Sequence, residues 1–365
     1  MESVIHPATV RQSTAQIPGE LHRLGILPGF MLLGFLLAMA IVAAICLGAY
    51  RISPEAVWQT LLGSDTGADR SARVLIELRL PRIALGLLVG AGFGAAGSAM
   101  QALLRNPLAD PGLIGVSSGA ALGAATMIVI GTPLLAAIPA ASAGFAVLTP
   151  LAAFAGALAV ALLVYRLAAA DGRVVLPLLL LAGVGANALA GAVIGLLSYI
   201  ASDTQLRSLT FWNLGSLADA NWQTLATITI PVALGIAMIA AHTRSLNALQ
   251  LGEAEARHLG VPVRYVKHCV LLAATLSVGA LVSCTGQIGF IGLVAPHCIR
   301  LLFGPDQRIL LPGSILLGAL LVVSADVAAR TLAAPTEIPL GVLTAILGAP
   351  FFMLLILRSR RQFGA

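Results

Sequence analysis

Residues 83–104 read IALGLLVGAGFGAAGSAMQALL, twenty-two positions without a formal charge. A helix needs roughly 20 mostly apolar residues to cross the hydrocarbon core of a bilayer. This run has that length and lacks the alternation of a barrel strand. In lipid a helix also satisfies its own backbone hydrogen bonds. The stretch therefore predicts a spanning helix, and others resemble it. Working outward, similar runs fall at about 29–50, 113–131, 145–168, 176–200, 223–242, 266–285, 290–303, 309–330 and 340–357. The expected fold class is an all-α polytopic membrane protein of about ten transmembrane helices. The run 290–303 is the shortest and is punctuated by Gly and Pro.

Composition agrees. Of 365 residues, 59% are hydrophobic and 10% charged, against about 25% charged in a soluble domain. Mean hydropathy is +0.98. The first 27 residues are polar and include Pro7 and Pro18, without a short apolar region and a cleavage site. The run from Gly29 is too long for a secretory signal and reads as an uncleaved first span. The organisation expected is a polar N-terminal tail at 1–28, a transmembrane domain at 29–358 and a C-terminal tail at 359–365. A polar loop at 243–265 interrupts the domain.

An even number of spans puts both termini on one side. If that side is cytoplasmic, Arg11, Arg23, Arg105, Arg166, Arg173, Arg244, Arg257, Arg264, Lys267, Arg300, Arg308, Arg358, Arg360 and Arg361 face the cytoplasm. Those are 14 of the 21 basic residues; Arg51, Arg70, Arg73, Arg79, Arg82, Arg207 and Arg330 fall outside. Basic residues concentrate on cytoplasmic loops, so the bias predicts cytoplasmic termini. The pI near 9.7 follows from basic residues facing anionic lipid and implies no nucleic-acid partner.

Several chemistries are missing. A phosphate-binding loop needs Gly-x-x-x-x-Gly-Lys-[Ser/Thr], and the single lysine, Lys267, stands in Tyr265-Val266-Lys267-His268. No His-Glu-x-x-His zinc motif is present. Cys46, Cys269, Cys284 and Cys298 lie in or beside apolar runs, with no Cys-x-x-Cys pair, and read as small buried thiols. Ion-driven carriers bury acids at mid-membrane, whereas the fifteen acids here lie in loops or near span ends. Asp326 comes closest, four residues before Arg330 and spaced for a helical ion pair. The energy source is therefore external, or the protein is a passive channel.

Glycines crowd two spans: Gly90, Gly92, Gly94 and Gly97, then Gly183, Gly185, Gly191 and Gly195. Close helix packing is the reading they favour. Two polar segments can serve as surfaces, 51–81 outside and 243–264 inside. The inner one reads as a short helix between Gly252 and Gly260, acids first and Arg257 with His258 last, as a helix dipole prefers. A faint echo relates Leu103–Pro107, Pro111-Gly112 and Gly119-Ala120 to Leu301–Pro305, Pro312-Gly313 and Gly318-Ala319. Internal duplication and chance in a Leu-, Gly- and Ala-rich chain both account for it.

Several blocks, in order, carry a resemblance. RLPR at 79–82, MQALLRNPLADPG at 100–112, LGE at 251–253 with LG at 259–260, GFIGLVAPH at 289–297, and Gly341 with GAP at 348–350 resemble the FecCD-type permeases. These are the membrane subunits of ABC importers for iron-siderophores, haem and cobalamin. The resemblance covers about residue 29 to the C-terminus and implies the type II importer fold. It implies a homodimer in the bacterial inner membrane, two cytoplasmic ABC ATPase subunits and a periplasmic binding protein. The chain itself would be no enzyme and hold no cofactor, ATP and Mg being bound by the ATPase. By the family's pattern, Leu251, Gly252, Glu253, Ala256, Arg257, Leu259 and Gly260 couple to the ATPase. Arg79, Arg82 and Arg330 would sit at the outer membrane edge and meet acidic residues of the binding protein. The cytoplasmic gate falls on Leu176 and Pro177, where some members carry small hydroxyl residues.

RNPLADPGLIGVSSGA at 105–120 and TFWNLGSL at 210–217 look most like the haemin-importing branch. Haem iron takes His, Met, Cys or Tyr as axial ligand. In the expected topology none of His6, His22, His242, His258, His268 and His297 faces the outer entrance. Tyr50 and Tyr199 lie on that side, where a Tyr is more often an interfacial anchor. His297 reads as a structural histidine rather than a metal ligand. A pathway that only guides released cargo needs no ligand. The alternatives are a ferric-siderophore or cobalamin permease, and more remotely a passive channel, secondary carrier or intramembrane enzyme.

Overall fold

The structure, a computed structural model, describes residues 25–48, 50, 52–62, 70–136, 145–170 and 173–363. Residues 1–24 of the expected tail lie outside these, as do His6, Arg11, His22, Arg23 and Arg51. The chain runs α1 (Ile26–Cys46), α2 (Pro54–Leu61), α3 (Arg70–Leu103), α4 (Val116–Leu134) and α5 (Phe145–Ala168). A two-residue hairpin, β1 (Ala169–Ala170) with β2 (Arg173–Val174), leads into α6 (Leu176–Ile200). Then come α7 (Asp203–Leu214), α8 (Trp222–Ala241), α9 (Thr243–Leu251) and α10 (Glu253–His258). The chain closes with α11 (Val263–Thr285), α12 (Ile291–Phe303), α13 (Gln307–Leu332) and α14 (Leu340–Phe363).

Among the described residues, eight helices are long and apolar enough to cross a membrane: α1, α3, α4, α5, α6, α8, α11 and α13. The two shorter apolar stretches are α12 and Leu340–Leu354 of α14. These ten coincide with the ten expected runs. Three departures stand out. Helix α3 begins at Arg70, well before residue 83, so with α2 most of the described residues of the outer polar segment are helical. Its π-turn at Val74–Arg79, where Leu80 N bonds Leu75 O, lies just ahead of Pro81; the proline lacks an N–H, and a wider turn accommodates the carbonyls it leaves free. Helix α7 was not expected at all. It is too polar for a span and is set by a capping box between Ser202 and Gln205. Helix α14 continues to Phe363, into the expected tail.

Helices α3, α11 and α13 form the buried centre, and α1, α5, α6 and α8 present most of their apolar side chains outward. Small residues let the central helices touch backbone to backbone. A Cβ at Gly90 would stand 2.2 Å from Gly318 O, and one at Gly97 1.8 Å from Gly292 O. The expectation of close packing holds for α3 but only in part for α6. There Gly183 abuts Leu113 O, while Gly185, Gly191 and Gly195 have nothing within 4 Å.

Candidate functional site

At the end of the bundle where α3 and α13 meet the α1–α2 turn, Arg79, Arg82 and Arg330 converge. The sequence placed them at the membrane edge, and they do share one end, but they turn into the chain. Arg79 and Arg330 are 5% and 6% exposed. Arg79 donates to Ile45 O and Tyr50 O, and Arg330 to Ala44 O at 2.5 Å. Ala44 and Ile45 lie in the last turn of α1, where no intrahelical donor remains, and Tyr50 follows in the turn beyond it. Gly48 allows the turn to pass over both guanidiniums, since a Cβ there would lie 3.1 Å from Arg79 Nη2. Arg82 bonds Asp326 Oδ1 at 2.9 Å and holds Glu337 through both Nη atoms, at 3.0 and 2.8 Å. The expected ion pair between Arg330 and Asp326 is present at 3.3 Å. Two guanidiniums, of Arg82 and Arg330, thus share two carboxylates, and Arg79 makes no ion pair among the described residues.

The opposite end carries the 243–265 loop. From Gln307, beside this loop, to Arg330, α13 advances 23 residues (330 − 307), roughly 35 Å at 1.5 Å per residue. The expected short helix is α10, flanked by Gly252 at φ 139° and Gly260 at φ 78°. Ala256 is fully buried against the bundle, and Leu251 and Leu259 are 68% and 65% exposed. Arg257 projects outward and pairs with Glu253 at 3.3 Å. Glu253 turns inward to Lys267 Nζ at 2.5 Å, and the same Nζ donates to Val174 O at 3.0 Å. Lys267 is 3% exposed. Val174 closes the hairpin that leads into α6, whose first two residues are Leu176 and Pro177. Proline suits that position because its missing N–H would be unpaired there anyway.

Helix α9 is tied to the α12–α13 turn. Asn247 Nδ2 donates to Asp306 Oδ1 at 2.6 Å and Asn247 Oδ1 accepts from Gln307 N at 2.8 Å. The bond from Arg308 N and then the Asn247 amide hold the Asp306 carboxyl below its usual range. Arg300 reaches Gln250 and Gln101 at 3.4 and 3.3 Å. Beside them, the loop after α3 folds inward. Asp110 Oδ1 accepts from Gly112 N at 2.7 Å, and burial nonetheless pushes this carboxyl up.

Two histidines serve the frame. His242 Nδ1 meets Met238 O at 2.7 Å, and His297 packs edge-on against Phe351. Tyr50 bonds Ser71 at 3.2 Å, and Tyr199 is 87% exposed. No cluster of three or more metal-ligating side chains occurs among the described residues. Sequence reading missed Asp326 as a shared acid for two arginines, Glu337 altogether, and the pairing of Lys267 with Glu253. The one available signal for the last was that Lys267 is the only lysine in the chain.

A buried bundle of spanning helices, short polar turns and an exposed helical loop define an α-helical polytopic membrane protein. Residues 36–358 match the model of the FecCD transport family, and the chain belongs to that family, as an ABC importer permease. It is 43% identical over 337 residues to the hemin transport system permease protein HmuU of Yersinia pestis, covering 91% of this chain and 97% of that one. It is 40% identical over 291 residues to the cobalamin import system permease protein BtuC of Halobacterium salinarum, covering 80% and 75%. Among solved structures, an inward-facing metal-chelate type ABC transporter superposes with a TM-score of 0.76 at 31% identity, covering 91% of this chain and 99% of that one.

Proposed function

We propose that this chain translocates haem across the bacterial inner membrane as one half of a homodimeric permease. The observation that carries the reading is 43% identity to a hemin permease along 91% of the chain. Both termini are cytoplasmic, so α9 and α10 face two ABC ATPase subunits, which bind ATP and Mg. The end bearing Arg79, Arg82 and Arg330 receives a periplasmic binding protein. Leu176 and Pro177 form an apolar cytoplasmic gate at the entry to α6. Haem is guided through the pathway without ligation. A second reading, cobalamin as cargo, is favoured by relatives named for that vitamin at 40% and 38% identity.

The test is reconstitution with the cognate ATPase and binding protein in proteoliposomes. The binding protein is loaded in turn with haem, a ferric siderophore and cobalamin. Stimulated hydrolysis and uptake with haem alone is the expected result. Stimulation by cobalamin or siderophore instead would reassign the cargo. Hydrolysis by the permease alone would overturn the division of labour.

A further inference from the structure

We infer that Lys267 is a positioning residue that carries movement of the 251–260 loop to the entry of α6. The inference rests on the coupling role proposed for that loop. Lys267 lies on α11, one turn in from its start, and is buried. Its ammonium bridges two elements that are distant in sequence. One contact is the Glu253 carboxylate at 2.5 Å, on the first residue of α10. The other is Val174 O at 3.0 Å, two residues before Leu176. Val174 itself is 4% exposed and paired with Ala169 in the hairpin. Val175 N is bonded to Ala168 O. The hairpin thus moves as a unit with whatever holds Val174.

The chemistry suits a lever rather than a simple fastener. An ammonium offers three donors on a flexible stem, so it can hold a carboxylate and a carbonyl together. A buried charge that loses one partner is costly, so when Glu253 shifts, the ammonium follows it and draws on Val174 O. The chain uses arginine at its other twenty basic positions. Arginine's planar fork fixes its donor directions, whereas the ammonium's three donors rotate on a flexible stem and can follow a partner that shifts. Arg257, by contrast, faces outward with its side chain 51% exposed, and shares Glu253 from the solvent side. A subunit that engages Arg257 changes the charge balance on Glu253 and therefore on Lys267.

The experiment uses the full complex of permease, ATPase and binding protein in proteoliposomes, comparing Lys267→Met, Lys267→Arg and Glu253→Gln with the parent. Three quantities are read: ATPase bound per permease, ATP hydrolysed, and cargo moved per ATP. Lys267→Met should keep the ATPase bound and hydrolysing while cargo per ATP falls by about tenfold, a usual size for a lost coupling between sites. Lys267→Arg should recover part of it, and Glu253→Gln should fall between. Unchanged cargo per ATP in Lys267→Met overturns the inference. So does loss of bound ATPase in parallel with uptake, which marks a fastener of the docking surface. If Lys267→Met does not accumulate, Glu253→Gln decides on the same readouts. A parent complex that no loaded binding protein stimulates would instead sink the proposed function.

Discussion

Asp326 shows how much one buried carboxylate carries near the end of a spanning helix. Its two oxygens meet Arg82 and Arg330 at 2.9 and 3.3 Å, with its side chain 5% exposed. Breaking a buried pair by removing one partner costs about 3–5 kcal/mol, because a charge is left uncompensated. Glu337, 42% exposed on its side chain, is a rim partner, and such pairs are worth at most about 1 kcal/mol. Asp326→Ala should therefore lower the unfolding midpoint in detergent far more than Glu337→Gln, and equal shifts would refute this ranking. Asp110 poses the opposite case. Its folded pKa is raised, so the ionised form is disfavoured in the fold. That penalty is present above the folded pKa and fades as pH falls through it. Asp110→Asn keeps an acceptor for Gly112 N and sheds the penalty. It should match or exceed the parent at pH 7.5, with the margin shrinking toward acid pH. Asp110→Ala loses the cap and should cost about 1 kcal/mol; thermal melts across pH compare all three.

Elements built from local chemistry were legible, and those built from distant contacts were not. The ten apolar runs announce themselves by length. Helix α10 could be read from Gly252, Gly260 and the order of its charges. The inward turn of Arg79 could not, because its acceptors are carbonyls at Ile45 and Tyr50, and any residue supplies a carbonyl. Nor could the glycines of α3 and α6 be told apart, since only the neighbour decides. A Cβ at Gly90 meets Gly318 O at 2.2 Å, whereas one at Gly34 of α1 meets nothing within 4 Å. Gly90→Ala should force α3 and α13 apart and destabilise by about 1–3 kcal/mol. Gly34→Ala should be neutral or slightly stabilising through helix propensity. Denaturation of the two variants side by side checks this. At the loop, Glu253 is committed inward, so a docking test belongs on the exposed apolar pair that brackets α10. Leu251→Ser with Leu259→Ser should reduce co-purified ATPase while leaving the melting temperature of the permease unchanged. Full recovery of ATPase would remove these leucines from the interface.

Across the whole molecule, the two proposed contact ends differ in how their charge is held. The 251–260 end shows its apolar residues and Arg257 to solvent. The arginine end keeps its cations mostly turned inward, onto two carboxylates and the carbonyls of Ala44, Ile45 and Tyr50. Reversing Arg79 and Arg82 to Glu would remove the donors that close α1 and set acid against Asp326, so any change in docking would be confounded with damage to the fold. Glu337 offers a cleaner handle. It lies at the rim, 42% exposed, and binds both Nη atoms of Arg82. If acidic residues of a binding protein meet Arg82, then Glu337 competes with them, and its like charge opposes their approach. Glu337→Gln removes that competition at little cost to stability. Complementary charge acts chiefly on association rate, and salt screens it. With the permease in nanodiscs, Glu337→Gln should speed association of the binding protein by about threefold at low salt, the order expected when one opposing charge is removed from a steered encounter. The gain should vanish at high salt, and dissociation should change less. Association that is unchanged or slower at low salt, with the variant folded, would leave the cluster as the clamp of α1 and move the docking surface elsewhere.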